Sequence, residues 1–568
     1  MVFLLFLILL SSVMELLGVS AILPLVESVI TPEVLETNKT YKMIMEMIGA
    51  SSPRAFIMMM SIILAFVYVM KNVFLIWMKH KELEYLCLNR KKIAVNLMDC
   101  YIHQEYNFHV NTNVAELERN VSSDVVNFFE VVQKMLDLIT EMMVCTLLII
   151  FLAITDFWMT VIMGLLLGVL LGGLVITLKG RLRKLGERTR DVAVLRTKWF
   201  LQSFQGIKEI KAGHKEEYFR GKYEQTYEEY ARMTIQQSLI NYIPKPIAEM
   251  LCISGVLLFL AVRVMLGNDL SRFVSVLSVF AIAAFRMLPS FNRISGDLTQ
   301  IMFNKPSVDA LHDDLEQMNA LNEIRSKGLE GTKKKVLIRE AIDIDHITFA
   351  YSSKPDVVVL NDVSLKIPAR KSIAFVGPSG AGKTTLADII LGIYTPDAGS
   401  ILADGKDIRE EMDAWHRSIG YIPQTIYLID DTIRANIAFG IPEKEIDDAK
   451  VWDALEQAKL ADFVREQPEG LDSNIGESGV KLSGGQRQRI GIARALYGDP
   501  ELLIMDEATS ALDNETESAV MDAIYHLSGK VTMIVIAHRL TTIKNCDEIY
   551  RIQSGKAAKI TYEEANGQ

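Results

Sequence analysis

The residues with the plainest chemistry are Gly377-Pro378-Ser379-Gly380-Ala381-Gly382-Lys383-Thr384-Thr385, set between the apolar run SIAFV and the helix-forming run LADIILGI. A GxxxxGK[ST] pattern between strand and helix is a phosphate-binding loop. Its glycines let backbone N–H groups close on phosphate oxygens, and the helix dipole adds attraction. Lys383 supplies charge for β- and γ-phosphates, and Thr384 supplies a hydroxyl for Mg²⁺. Farther on, the apolar strand LLIM ends in Asp506 and Glu507. Asp506 suits the metal through water, and Glu507 suits polarising a water that attacks the γ-phosphate. Ser483, Gly484, Gly485 and Gln486 then open a helix with a hydroxyl and bare backbone at its N-terminus. That is a second anion-binding helix end.

These residues together resemble the ATP-binding cassette proteins, whose signature pentapeptide is Leu482–Gln486 here. The resemblance implies further roles. Tyr351 would stack on adenine. Gln424, in YIPQ, would touch the metal and the membrane domain. Asp513, in SALD, matches the D-loop, and His538, in IVIAHRL, the switch that senses γ-phosphate. Glu477, in GESG, matches the coupling loop of exporters, with Ser478 in place of the usual arginine. The nucleotide set implied is Tyr351, Gly377, Ser379 to Thr385, Ser483 to Gln486 and Asp513. Thr384, Gln424 and Asp506 are the metal set, and Glu507, His538 and Gln424 the hydrolytic one. In that family the signature completes the phosphate site of a partner. A single cassette therefore implies a homodimer with two composite sites, using ATP and Mg²⁺.

The rest of the chain must position this engine. Of 568 residues, 50% are hydrophobic and only 23% charged, and mean hydropathy is +0.21. That composition excludes disordered, collagen-like and disulfide-stapled classes. The five cysteines form no C-x-x-C pair, and packing accounts for them. Residues 1–336 carry 36 Lys+Arg against 33 Asp+Glu, while the remainder carries 24 against 37. A near-neutral apolar half followed by an acidic half reads as a membrane domain and a soluble domain. Nothing in the balance points to nucleic acid.

Apolar runs at 2–30, 55–78, 135–155, 157–178, 246–267 and 273–295 approach or exceed the ~20 residues a helix needs to cross a bilayer. The first lacks the basic flank and cleavage site of a signal peptide, so it reads as a span. Basic segments 79–92 and 179–198 place the long loops, and with them both termini, in the cytoplasm. Those loops (79–134 and 179–245) read as helices that continue past the bilayer and fold back, the second near GIKEIKAG at 206–213. Residues 38–50 read as a short amphipathic segment on the outer face.

The expected architecture is an all-α six-helix transmembrane domain (1–305) with long cytoplasmic helical extensions. A linker (306–338) and an α/β P-loop nucleotide-binding domain with a helical subdomain (339–568) follow. This order resembles a homodimeric half-transporter of the exporter type. Such chains usually begin with an elbow helix, so this sequence is expected to be truncated or to lack one.

Basic groups inside spans are costly, about 2.5–3.5 kcal/mol at a helix centre, and default to functional readings. Lys71, Lys245, Arg286 and Arg293 are the candidates, and as a cavity they suit an anionic headgroup. The stretch FRMLPSFNRI (285–294) is similar to the sixth-helix segment of bacterial flippases for lipid-linked oligosaccharides. That group has inward-facing basic residues where these four fall, with lysine replacing arginine at two positions. The resemblance implies a translocase in the bacterial cytoplasmic membrane for a polyprenyl-pyrophosphate-linked oligosaccharide or related anionic lipid. The alternatives are a multidrug, lipid or peptide exporter with the same engine, or an ATP-gated regulator without transport.

Overall fold

A computed structural model of the chain describes residues 2–20, 52–155, 157–265, 270–328, 334–506, 527–537 and 543–566, with Ile524 and a few positions between 43 and 49. The chain divides into two compact units, one formed by 1–104 and 112–325, the other by 105–111 and 326–568.

The first unit is helical: α1 (Val2–Ser20), α2 (Pro53–Ile102), α4 (Val114–Arg119), α5 (Val125–Thr155), α6 (Phe157–Gln205), α7 (Ile207–Ala212), α8 (Glu216–Tyr242), α9 (Pro244–Met265) and α10 (Leu270–Gly328). The short helix α3 (Tyr106–Asn111) belongs to the second unit. Local signals set the ends. Ser52 caps α2 by accepting the Ala55 N–H at 3.3 Å, and Pro53 takes the first turn, where its missing N–H costs nothing. At 1.5 Å per residue the 50 residues of α2 span roughly 75 Å, far beyond a ~30 Å hydrocarbon core. Its residues Arg54–Ile102 are long and apolar enough to cross a membrane. The same arithmetic applies to α6, with 49 residues, and α10, with 59. Within the basic second loop α8 packs back along α6, and α7 occupies the turn between Gly206 and Gly213.

Polar pairs join α5 to α10 along their length. Arg293 Nε donates to Glu141 Oε1 at 2.7 Å, and Lys134 Nζ meets Asp297 Oδ1 at 3.0 Å. Gln300 and Asn304 both donate to Glu130, and Asn127 donates to Ser307. Where α4 runs into α5 the helix widens to a π-turn over Asn120–Asp124. Buried Asp124 there accepts from Arg190 of α6 at 2.9 Å and pairs with Arg119 at 3.3 Å. Asn120 donates to the Tyr101 hydroxyl, which donates to Asp314 of α10 at 3.0 Å. Four elements thus meet in one buried polar node.

The expected linker is corrected over most of its length. Residues 306–328 continue α10 as helix, through Pro306. Asn304, Ser307 and Leu311 are buried at helical spacing, so the segment has an inward face made partly of polar side chains. Gly186 of α6 lets α10 approach there, since a Cβ on it would lie 2.0 Å from the Phe303 carbonyl oxygen.

The second unit carries a six-stranded sheet in the order β10-β9-β3-β8-β7-β6 and a four-stranded antiparallel sheet in the order β2-β1-β4-β5. Strands β3 (Ser372–Val376), β6 (Ile419–Ile422), β7 (Leu502–Asp506), β8 (Thr532–Ile536) and β9 (Glu548–Gln553) are parallel, and β10 (Lys556–Ile560) closes one edge antiparallel. The β3, β7 and β8 runs are apolar on both faces, as strands covered on both sides require. Strand β1 (Ala341–Ala350) pairs with β2 (Val358–Pro368) and β4 (Ala398–Ala403), and β4 pairs with the short β5 (Lys406–Asp407). Helices α11 (Lys383–Ile390), α12 (Met412–Arg417), α13 (Ile433–Ile437), α14 (Asp448–Gln457), α15 (Ala461–Arg465), α16 (Gly484–Tyr497) and α17 (Tyr562–Asn566) are the α-helices described in the rest of this unit. Short helices α13 to α15 and α16 form the helical subdomain, and its core is continuous with one face of β3, β7, β8 and β9.

Candidate functional site

The phosphate loop leaves the C-terminal end of β3, where ligands of open parallel sheets bind. Gly377, Gly380 and Gly382 take φ of 146°, 76° and 100°. Gly377 is forced twice over, because a Cβ there would meet the Ile552 carbonyl oxygen at 2.1 Å. Lys383, 5% exposed, donates to the carbonyls of Gly377 and Pro378 at 3.0 Å each. These bonds hold the ammonium inside the loop, where phosphate oxygens would replace the carbonyls. Ser379, Gly380 and Thr384 are exposed, Ala381 is half-buried, and Thr385 is buried. Thr385 Oγ1 is hydrogen-bonded to the Tyr351 hydroxyl at 2.7 Å. Tyr351 is half-buried, with Phe349 and Tyr394 meeting its ring edge-on at 5.2 and 5.5 Å. Neither lies flat on it.

Asp506 ends β7, buried beside the loop helix. Its charge and burial together push the Asp388 carboxyl of α11 up to about 6, burial being the larger cause. The Asp506 carboxylate, with the oxygens of Thr384 and Gln424, is a donor set that suits a hard divalent cation. Tyr421, one strand over, is likewise raised by burial and by both carboxylates. Gln424 follows β6 and is exposed. Glu507, Asp513 and His538 lie outside the described residues.

Ser483 caps α16. Its Oγ accepts the Gln486 N–H at 3.2 Å, and the Gln486 side chain returns to the Ser483 N–H at 2.7 Å. The Gln486 amide oxygen, read as nucleotide-facing, is thus engaged by its own helix end in this conformation. Gly484 is exposed and Gly485 buried. Glu477 sits exposed on a single 3-10 turn.

The basic candidates of the membrane half fall on three helices. Lys71 of α2 is only 5% exposed, with its ammonium 5.1 Å from the Tyr68 ring centroid. Lys245, at the start of α9, is exposed. Arg293 of α10 is 58% exposed and bonded to Glu141, itself 12% exposed. The Arg286 side chain lies outside the described residues. Glu141 stands in the sequence beside Asp137 near the start of the apolar run 135–155. Its partner was not legible there, because α5 and α10 are brought together only by the tertiary fold.

Comparison with known proteins agrees with this geometry. The profile of the ABC transporter transmembrane region matches residues 1–288, and that of the ABC transporter ATP-binding domain matches 360–510. The ATP-dependent lipid A-core flippase of Cupriavidus metallidurans is 30% identical over 471 residues, 82% of this chain and 78% of the relative. The heterocyst differentiation ATP-binding protein HepA of a Nostoc species is 32% identical over 452 residues, 79% and 72% of the two chains. In fold, the chain matches a bacterial Atm1-family ABC exporter with a TM-score of 0.74 at 23% identity, covering 96% of this chain and 95% of that one. The protein belongs to the ABC transporter family. It has the exporter arrangement of a membrane domain followed by an ATP-hydrolysing domain.

Proposed function

We propose that this chain is one half of a homodimeric ATP-driven flippase in a bacterial cytoplasmic membrane. Its cargo is an amphipathic anionic lipid, a polyprenyl-pyrophosphate-linked oligosaccharide being the first candidate. The observation that carries the cargo class is the pair of exposed cations, Lys245 and Arg293, on the apolar half of the chain. Relatives named as lipid A-core flippases support a lipid cargo.

In this reading Lys383 exchanges its two loop carbonyls for β- and γ-phosphate oxygens, and the glycine-shaped loop donates backbone N–H groups. Tyr351 provides the platform for the base. Thr384, Asp506 and Gln424 would hold Mg²⁺, which neutralises charge on the phosphates when bound. Glu507 orients and deprotonates the attacking water, and His538 contacts the γ-phosphate. Ser483 and Gly484 of the partner copy close the site from the other side, at a helix end that attracts anions. Glu477 and the 105–111 segment relay closure to the membrane helices.

Arg293 would meet cargo by leaving Glu141. An exposed guanidinium suits a phosphate bidentately. The test is ATPase activity of the reconstituted protein against a lipid panel. Anionic lipid-linked glycans are expected to stimulate hydrolysis severalfold, and Lys245→Ala to blunt that stimulation. Stimulation by neutral hydrophobic drugs alone would overturn the cargo class, and absence of any hydrolysis would favour the regulator.

A further inference from the structure

The base platform is tied to more than the phosphate loop. Tyr394, at the end of the stretch that follows α11, meets the Tyr351 ring edge-on at 5.5 Å and Phe349 at 5.4 Å. On its other side it meets Tyr106, the first residue of α3, at 5.6 Å and 75°. The next residue of α3 makes a second attachment. Asn107 Nδ2 donates to Ser352 Oγ at 2.5 Å, and Ser352 directly follows Tyr351 in the chain. The segment 105–111, which joins α2 to α4, therefore grips the base platform at two points. One is a ring contact through Tyr394, and the other is a hydrogen bond to the platform's own loop.

From this geometry we infer that Tyr394 is a positioning residue through which the 105–111 segment sets the affinity of the site for the nucleotide base. This rests on Tyr351 being the base platform. Edge-to-face contacts are directional, so a shift of Tyr106 re-aims Tyr394 and with it the Tyr351 ring. The Tyr351 hydroxyl is pinned to Thr385, so the ring pivots about that bond while the phosphate loop stays in place. Movement arriving along α2 then changes binding of the base and leaves binding of the triphosphate alone.

The experiment is equilibrium binding of ATP and of inorganic tripolyphosphate to the full-length protein in nanodiscs. Tyr106→Ala and Tyr394→Leu are expected to weaken ATP about three- to tenfold, the range of one or two aromatic pair contacts. Tripolyphosphate, which has no base, should stay within about twofold. Tyr394→Phe keeps the ring and should bind both ligands as the native protein does. Equal weakening of both ligands, or unchanged ATP affinity in Tyr394→Leu, overturns the inference. Tyr351→Ala separates it from the reading beneath it. If that change leaves the preference for ATP over tripolyphosphate intact, both fall. If Tyr351→Ala abolishes the preference and Tyr394→Leu does not, only the role of Tyr394 falls.

Discussion

At the scale of residues, the nucleotide site is built from groups whose environments are set against each other. Lys383 is buried yet satisfied by two carbonyls, whereas Asp388 is half-buried beside another carboxylate and is left with a proton affinity well above the carboxylate norm of 3.8. A carboxyl raised in the folded state binds protons more readily there than in the unfolded chain. Its stabilising contribution is therefore present below about pH 4 and is lost as pH rises through about 6. Asp388→Asn should leave thermal stability near native at about pH 4 and raise it progressively as pH rises to about 7. Melting curves across that range check this, and a stability difference that does not change with pH would contradict it. The phosphate loop and the Ser483 cap were legible in the sequence because each is a short run whose spacing is itself the structure. The pairing of Arg293 with Glu141 and the contact of Tyr106 with Tyr394 were not. The members of each pair are more than a hundred residues apart, and no local pattern links them.

At the scale of elements, the cytoplasmic helices are held by polar groups as much as by apolar ones. The node at the π-turn gathers Asp124, Arg119, Arg190, Asn120, Tyr101 and Asp314 from α2, the π-turn region, α6 and α10. Asp124→Ala would leave half-buried Arg190 without its carboxylate and buried Arg119 with only Glu116, at 3.3 Å. Removing one partner from such a cluster costs about 3–5 kcal/mol. The expected outcome is a large fall in the unfolding temperature of the intact protein in detergent, and a shift within error of native would refute the node as a structural joint. Helix identities were readable from apolar runs, but the end of α10 was not. Its inward face after residue 303 includes Asn304 and Ser307, so a hydrophobicity pattern reads a linker where the structure has a helix.

At the scale of the whole molecule, one chain carries one phosphate loop and one signature helix, so the proposed dimer uses each across the interface. That gives a test by mixing. Lys383→Ala disables the loop, and Gly484→Asp places an acid at the signature end, where a side chain has open space and so folds without a clash. Each variant dimer should be inactive. Mixed dimers hold one site with both defects and one intact site, so co-assembled protein should recover a measurable fraction of native ATPase. No recovery in verified mixed dimers would mean that loop and signature act within one chain.

The most direct test of the account is transbilayer movement of a fluorescent polyprenyl-pyrophosphate-linked glycan in proteoliposomes, followed with and without ATP, in native protein and in Glu507→Gln. Movement is expected to require ATP and to fall at least about a hundredfold in the variant, the scale of losing a catalytic base. ATP hydrolysis at native rate without movement of that lipid or any other anionic lipid, or movement indifferent to ATP, would contradict it.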